Sequence, residues 1–266
     1  MHLATYNIRG RSSFGVVSGD GVVDLRPRLA PRLTSVLDVL RAGALDEVKK
    51  ITAGVRADFS LAEVELLPPV MGGEKILCIG VNYANRDAEL TAAGGNTEAK
   101  YPSMFFKPPN TMVAHNQPIL RPPESEQLEY EGEIALVIGK TGRRIPKDRA
   151  LEYVAGITMC NEGTIRDWIR HGRFNVTQGK AWDSTGSMGP WMTTGVDLTK
   201  PLHITCKING EVTQDDTTDS MIFKFLDILP YVSTFMTLKP GDMFEMHVPE
   251  IGTLKNTVQD EKTLAI

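Results

Sequence analysis

Three glutamates carry the clearest chemical signal in this chain. Glu131 and Glu133 stand two residues apart in a run that otherwise reads as a strand, and Glu162 follows a second apolar run, Tyr153–Cys160. Alternation along a strand sends Glu131 and Glu133 to one face, with Glu129 just before them on the same side. Further along, that face becomes Ala135 and Val137, while Leu128, Tyr130, Ile134, Leu136 and Ile138 take the other. Both faces are apolar beyond the carboxylates, which predicts a strand buried on both sides. Carboxylates at the mouth of such a strand are destabilising unless positive charge sits against them. The Glu131–Glu133 pair alone fits an acidic strand end facing water equally well. A third carboxylate at a second strand end favours a site: three hard oxygen donors suit Mg²⁺ or Mn²⁺, with positions left for substrate.

The elements that must hold these groups belong to an ordinary globular chain. At 266 residues, 41% hydrophobic and 23% charged, it suffices for one substantial domain, or a large domain with a small appendage. A formal net charge of −4 leaves no basic footprint, so nucleic acid is not an expected partner. No apolar run approaches the ~20 residues that span a bilayer. The opening stretch Met1–Gly15 lacks the apolar core of a secretory signal, so no membrane and a cytoplasmic location are expected. Cys78, Cys160 and Cys206 are widely spaced in apolar runs and read as buried thiols in a reducing compartment. His2, His115, His171, His203 and His247 lack metal-ligand spacing, which argues against zinc.

Residues 1–70 read as a small N-terminal domain and 71–266 as the larger one that carries the three glutamates. In the first, strands His2–Ile8 and Ser13–Ser18 precede a Gly19-Asp20-Gly21 turn that returns the chain through Val22–Leu25. Thr34 is the expected N-cap of a helix bearing Val36, Leu37 and Leu40 and ended by Gly43; a second helix covers Leu45–Thr52. Leu66–Pro69 closes the unit as an extended boundary. Strands follow at Lys75–Val81, Ser103–Phe106, Leu128–Ile138 and Tyr153–Cys160, with a helix at Thr164–His171. A polar stretch up to Lys100, containing Gly94-Gly95-Asn96, reads as mobile. Asn209-Gly210 predicts a two-residue hairpin, Met221–Thr237 a helix interrupted at Pro230, and Phe244–Val248 and Ile251–Val258 the last strands. The class is α+β, strand-rich and mixed.

Seven motifs in order resemble the fumarylacetoacetate hydrolase superfamily: KILCIGVNYANR (Lys75–Arg86), FFKP (Phe105–Pro108), YEGEIALVIG (Tyr130–Gly139), NEGTIRDW (Asn161–Trp168), GKAWDSTGSMGPW (Gly179–Trp191), INGEVTQDDTTDSMIF (Ile208–Phe223) and EIGTLKNTV (Glu250–Val258). The wording is similar to members that isomerise 2-hydroxyhepta-2,4-diene-1,7-dioate or decarboxylate 5-carboxymethyl-2-oxo-hex-3-ene-1,7-dioate. The resemblance implies a mixed β-sandwich roll with a small N-terminal α/β unit, a homodimer, and Mg²⁺ (or Mn²⁺) on Glu131, Glu133 and Glu162. It places Lys180 beside the metal against a 2-oxo acid substrate; Tyr83, Lys107 and Gln178, with Arg86 at a position where the family differs, are the candidate substrate contacts. The implied function is a metal-dependent isomerase or decarboxylase of an unsaturated 2-oxo dicarboxylate in aromatic breakdown. Acylpyruvate-type C–C hydrolysis is the alternative, and a metal-binding member with little activity is another.

Two departures bear on that choice. The family's water-activating dyad is a His followed three residues later by a Glu; here Arg86 takes the His position while Glu89 keeps the other. Arginine is no general base at neutral pH, and suits a bidentate carboxylate contact or a solvated lid position. His171, within the motif cluster, is the candidate substitute base. The family also has two L-x-P-G-D-like segments separated by a T-G-T-P-x-G loop; this chain has one, Leu238–Asp242. The missing loop predicts a folded, metal-competent protein with a wide cleft and weakened catalysis.

Overall fold

The apolar alternation at the N-terminus folds into a meander of β1 (His2–Ile8), β2 (Arg11–Ser18) and β3 (Gly21–Asp24), turning between β2 and β3 at Gly19, where φ is +56°. The computed structural model describes residues 1–83, 100–169, 171–172, 175–246 and 252–261. β4 (Phe59–Ser60) extends β3, and β5 (Glu65–Leu67) pairs with β1. Helices Val36–Arg41 and Leu45–Thr52 lie between β3 and β4. The first is capped by Ser35, one residue beyond the expected Thr34. Ser35 Oγ accepts the Asp38 amide, while Thr34 donates its own amide and hydroxyl to the Asp38 carboxylate.

The remaining strands are β6 (Ile76–Gly80), β7 (Ser103–Phe106), β8 (Met112–Val113), β9 (Ile119–Arg121), β10 (Leu128–Glu129), β11 (Gly132–Ile138) and β12 (Val154–Asn161). After them come β13 (Thr164–Ile165), β14 (Gly186–Thr193), β15 (His203–Ile208), β16 (Glu211–Thr217), β17 (Met243–Met246) and β18 (Val258–Asp260). The main sheet runs β4-β3-β2-β1-β14-β12-β11-β17-β6-β7, with β5 beside β1 and β8 beside β14. β1 joins β14 through His2 and Leu3, so the meander shares a sheet with the rest of the chain. The expected hairpin is β15–β16, with Asn209 and Gly210 both at positive φ.

β11 is the strand on which the site depends, and both its faces are buried as its sequence predicts. Ala135 and Val137 pack with Cys78, Cys160, Leu37 and Val39. Ile134, Leu136 and Ile138 pack with Ile157, Phe244 and the face Ile228, Leu229, Val232 of helix Phe225–Phe235. Each large apolar side chain removed from water contributes about 1.5–3 kcal/mol, so β11 is anchored from both sides.

Three expectations are corrected. The helix passes through Pro230 without interruption, because burial of its apolar face outweighs one lost backbone bond. Thr164–His171 is not a helix: Thr164 and Ile165 continue a ladder against β10, and Arg166–Trp168 forms a 3₁₀ turn. Residues 252–257 have no regular structure, and the strand comes later, as β18 parallel to β9. There Asn256 spends its side-chain amide on the carbonyls of Ala114 and Gln117. The polar stretch at 84–99 and the segment 247–251, beside the expected loop deletion, lie outside the described residues. Among the described residues, no helix is long and apolar enough to cross a membrane.

The Leu238–Asp242 motif forms a corner between β6, β11 and β17. Gly241 N–H donates to the Ile138 carbonyl, Ile138 N–H to the Asp242 carbonyl, and Met243 N–H to the Lys75 carbonyl. Asp242, 1% exposed, accepts the Lys239 amide at 2.8 Å and pairs with Lys75 Nζ at 2.9 Å. A Cβ on Gly73 would stand 2.1 Å from the Gly241 carbonyl oxygen. Asp242→Ala should therefore lower unfolding free energy by about 3 kcal/mol, and Gly73→Ala by roughly 2 kcal/mol, in urea denaturation. A loss below ~0.5 kcal/mol, usual for surface changes, in both would contradict this corner's role.

Candidate functional site

The site arises where one antiparallel ladder is interrupted. In β11–β12, Gly132 lies opposite Asn161 and Glu133 opposite Cys160. β10–β13 resumes the same register, with Glu129 opposite Thr164 and Leu128 opposite Ile165. The break falls at Glu131 and Glu162, which face each other; Glu162 N–H still donates to the Glu131 carbonyl at 2.8 Å. Opposed residues of an antiparallel pair share a face. Glu129, Glu131 and Glu133 therefore align beside Glu162, Thr164 and Arg166. Gly163 allows the break to pack closely, since a Cβ there would lie 1.8 Å from the Thr185 carbonyl oxygen.

On this face, carboxylate oxygens of Glu131, Glu133 and Glu162 lie within 4.8 Å of one another. Lys180 closes the cluster from the end of the short helix Thr177–Lys180. Its Nζ donates to Glu131 Oε2 at 2.6 Å and to Glu162 Oε1, and stands 5.0 Å from the Phe105 ring centroid. Glu131 Oε1 accepts from the Thr164 hydroxyl at 2.9 Å and Arg166 Nη2 at 3.1 Å, while Arg166 Nε holds Glu129 at 2.6 Å. Burial alone would raise the Glu131 pKa; Lys180, Arg166 and Thr164 outweigh it and hold that carboxyl below the ordinary glutamate value. Burial pulls Lys180 down, but Glu162 and Glu131 prevail and raise it above an ordinary lysine. Glu131 is thus ionised and Lys180 protonated at neutral pH.

A cavity of about 330 Å³ opens over the cluster, walled by Ile79, Met104, Phe105, Ile169 and Val176 and reached by Asn82 and Tyr83. Burial raises the Tyr83 phenol, reinforced by the charges of Glu133 and Asp216, so it remains a donor. The three carboxylates offer only hard oxygens. That donor set fits a divalent cation of the Mg²⁺ or Mn²⁺ type.

Of the residues singled out from sequence, Glu131, Glu133, Glu162, Lys180 and Tyr83 meet at this cavity. Gln178 does not: it is exposed and lines a separate hollow with Trp168 and Trp182. His171 is exposed too, its ring 4.1 Å from that of Trp168, and it does not line this cavity. Lys107 is also absent from the wall, because its ammonium is committed to two backbone carbonyls beneath the site. Arg86 and Glu89 lie outside the described residues. Cys78 and Cys160 are buried; Cys206 is half-buried, with its thiol pushed up to about 11 by burial and Glu133. Arg166, Thr164 and Asn82 went unmarked in the sequence. Arg166 and Thr164 were legible as alternate positions after Glu162, but the helix reading broke that period. Asn82 donates its side-chain amide to the Phe223 carbonyl and accepts the Phe223 amide, fixing the loop before the long helix.

Comparison with known proteins follows the same lines. Residues 75–246 match the family described as fumarylacetoacetate (FAA) hydrolase C-terminal. The 4-hydroxyphenylacetate degradation bifunctional isomerase/decarboxylase of Salmonella dublin is 36% identical over 184 residues, 68% of this chain but only 42% of that enzyme. The mitochondrial oxaloacetate tautomerase Fahd2a of Rattus norvegicus is 34% identical over 236 residues, 87% of this chain and 74% of that one. The crystal structure of 5-carboxymethyl-2-hydroxymuconate delta-isomerase from Mycobacterium smegmatis superposes with a TM-score of 0.76 at 25% identity, covering 98% of this chain and 100% of that one.

The cluster makes a stability prediction. Lys180→Met leaves two buried carboxylates facing each other, and in metal-free buffer unfolding free energy should fall by about 3 kcal/mol. Millimolar Mg²⁺ should recover most of that loss, because a cation can take the place of the ammonium charge. Equal losses in EDTA and in Mg²⁺ would contradict a cation site here.

Proposed function

This chain belongs to the fumarylacetoacetate hydrolase family, and we propose that it is a metal-dependent isomerase or decarboxylase of an unsaturated 2-oxo dicarboxylate from aromatic ring breakdown. The observation that carries the reading is the convergence of Glu131, Glu133 and Glu162 with Lys180 on the floor of one cavity. The relatives named as isomerase/decarboxylase and oxaloacetate tautomerase support it, since both reactions place negative charge on the oxygen of a 2-oxo acid. The chain spans less than half of the bifunctional enzyme, so the choice between its two activities is part of the proposal.

Glu131, Glu133 and Glu162 would hold Mg²⁺ or Mn²⁺, which when bound supplies Lewis acidity toward the 2-oxo acid. Lys180 gives two of its three N–H donors to Glu131 and Glu162. The third is available to the substrate oxygen on which charge develops, in a position fixed before the reaction begins. Tyr83 offers a second donor that stays protonated. The apolar walls limit water at the reacting carbons and strengthen these electrostatic contacts. Hydrolysis asks for an activated water, and the position of the usual base is taken by Arg86. Isomerisation and decarboxylation do not need that water, which favours them.

Oxaloacetate, a 2-hydroxydienoate dicarboxylate and an acylpyruvate assayed side by side with Mg²⁺ test the proposal. Turnover is expected on the 2-hydroxydienoate dicarboxylate and its loss in EDTA, and activity confined to oxaloacetate would contradict the substrate assignment. Lys180→Met should lower kcat by about 10²–10³ with little change in KM. Activity confined to the acylpyruvate, or unaffected by EDTA, would overturn the reading.

A further inference from the structure

We infer that Lys107 is a positioning residue that sets Lys180 and Glu162 at bonding distance by binding the backbone of Lys180 and of Gly163, the residue after Glu162, at once. The inference rests on reading the cavity as the active site. Lys107 follows β7, is 1% exposed, and has its own amide tied to the Ile76 carbonyl at 3.0 Å. From that fixed root, its ammonium donates to the Gly163 carbonyl at 3.0 Å and the Lys180 carbonyl at 2.8 Å. Gly163 directly follows Glu162, and Lys180 is the other half of the ion pair. One buried ammonium therefore spans the two segments whose side chains face each other.

Both segments need such a tie. The Lys180 helix is four residues long, too short to be stable by itself. The Glu162–Gly163 segment lies where the ladder breaks, with no regular strand pairing at that point. The packing around both is already at backbone contact, since a Cβ on Gly179 would lie 2.7 Å from Ile169 Cα. A side chain without donors at position 107 leaves two buried carbonyls unsatisfied and frees one segment to shift against the other. Displacement of a catalytic group by ~1 Å costs about a hundredfold in rate.

Lys107→Met should lower kcat about a hundredfold with KM within about threefold, at temperatures where the variant is fully folded. Because Lys107 acts through Lys180, the Lys107→Met/Lys180→Met double variant should be no slower than Lys180→Met alone. A readout free of activity accompanies these. Under brief acetylation followed by mass spectrometry, Lys180 labels slowly in the parent against Lys200, whose side chain is 76% exposed. In Lys107→Met that ratio should rise at least about tenfold as the brace is lost. A kcat within about twofold of the parent, additive penalties in the double variant, or an unchanged labelling ratio would each overturn the inference. If the parent turns over none of the three substrates, the functional reading fails and the labelling ratio alone decides the role of Lys107. Should Lys107→Met not fold, Lys107→Gln is judged by the same criteria.

Discussion

The register of one antiparallel ladder governs this structure. From Leu128 to Val137 and from Gly156 to Ile165 the two segments keep a single pairing scheme, interrupted at Glu131 and Glu162, and it shifts only at a bulge before Ile138. A slip of one residue would turn Glu131 and Glu133 to the opposite face and bury them among Ile134, Leu136 and the long helix. The register is secured because the two faces pack differently, the small Ala135 and Val137 with Cys78 and Cys160, the larger Ile134, Leu136 and Ile138 with Phe244 and the long helix. Core packing thus decides where the carboxylates stand, and nothing at the site itself has to specify their alignment.

Gathering carboxylates in a half-dry cleft is unfavourable without compensation, and the chain supplies it in layers. Lys180 bridges Glu131 and Glu162, Arg166 bridges Glu129 and Glu131, and Thr164 completes the Glu131 shell. Lys107 bonds no carboxylate among these but fastens the backbone beneath them. Three carboxylates remain grouped at the floor of the cavity, a donor set of the kind that holds a divalent cation.

Much of this was legible in the sequence. Alternating apolar residues around Glu131 and Glu133 gave the strand and its two buried faces, and Asn209-Gly210 gave the hairpin, because both signals are local. What was not legible depended on tertiary partners. Thr164 and Ile165 look helix-compatible alone, yet pairing with β10 makes them strand and brings Arg166 onto the site. Gln178 shares a short helix with Lys180, but two residues of helical rotation send it to a different hollow. Lys107 gives no sequence cue to whether its amine faces substrate or carbonyls; only the fold around β6 and β7 decides that.

The central claim is that the broken ladder builds a cation site from three carboxylates. Titrating Mn²⁺ into the metal-free protein and following free Mn²⁺ by electron paramagnetic resonance tests it most directly. The account predicts one ion per chain, displaced by excess Mg²⁺. It also predicts affinity weakened at least about tenfold by Glu131→Ala, Glu133→Ala and Glu162→Ala, with the fold retained. No binding by the parent, or unchanged affinity in all three variants, would contradict it.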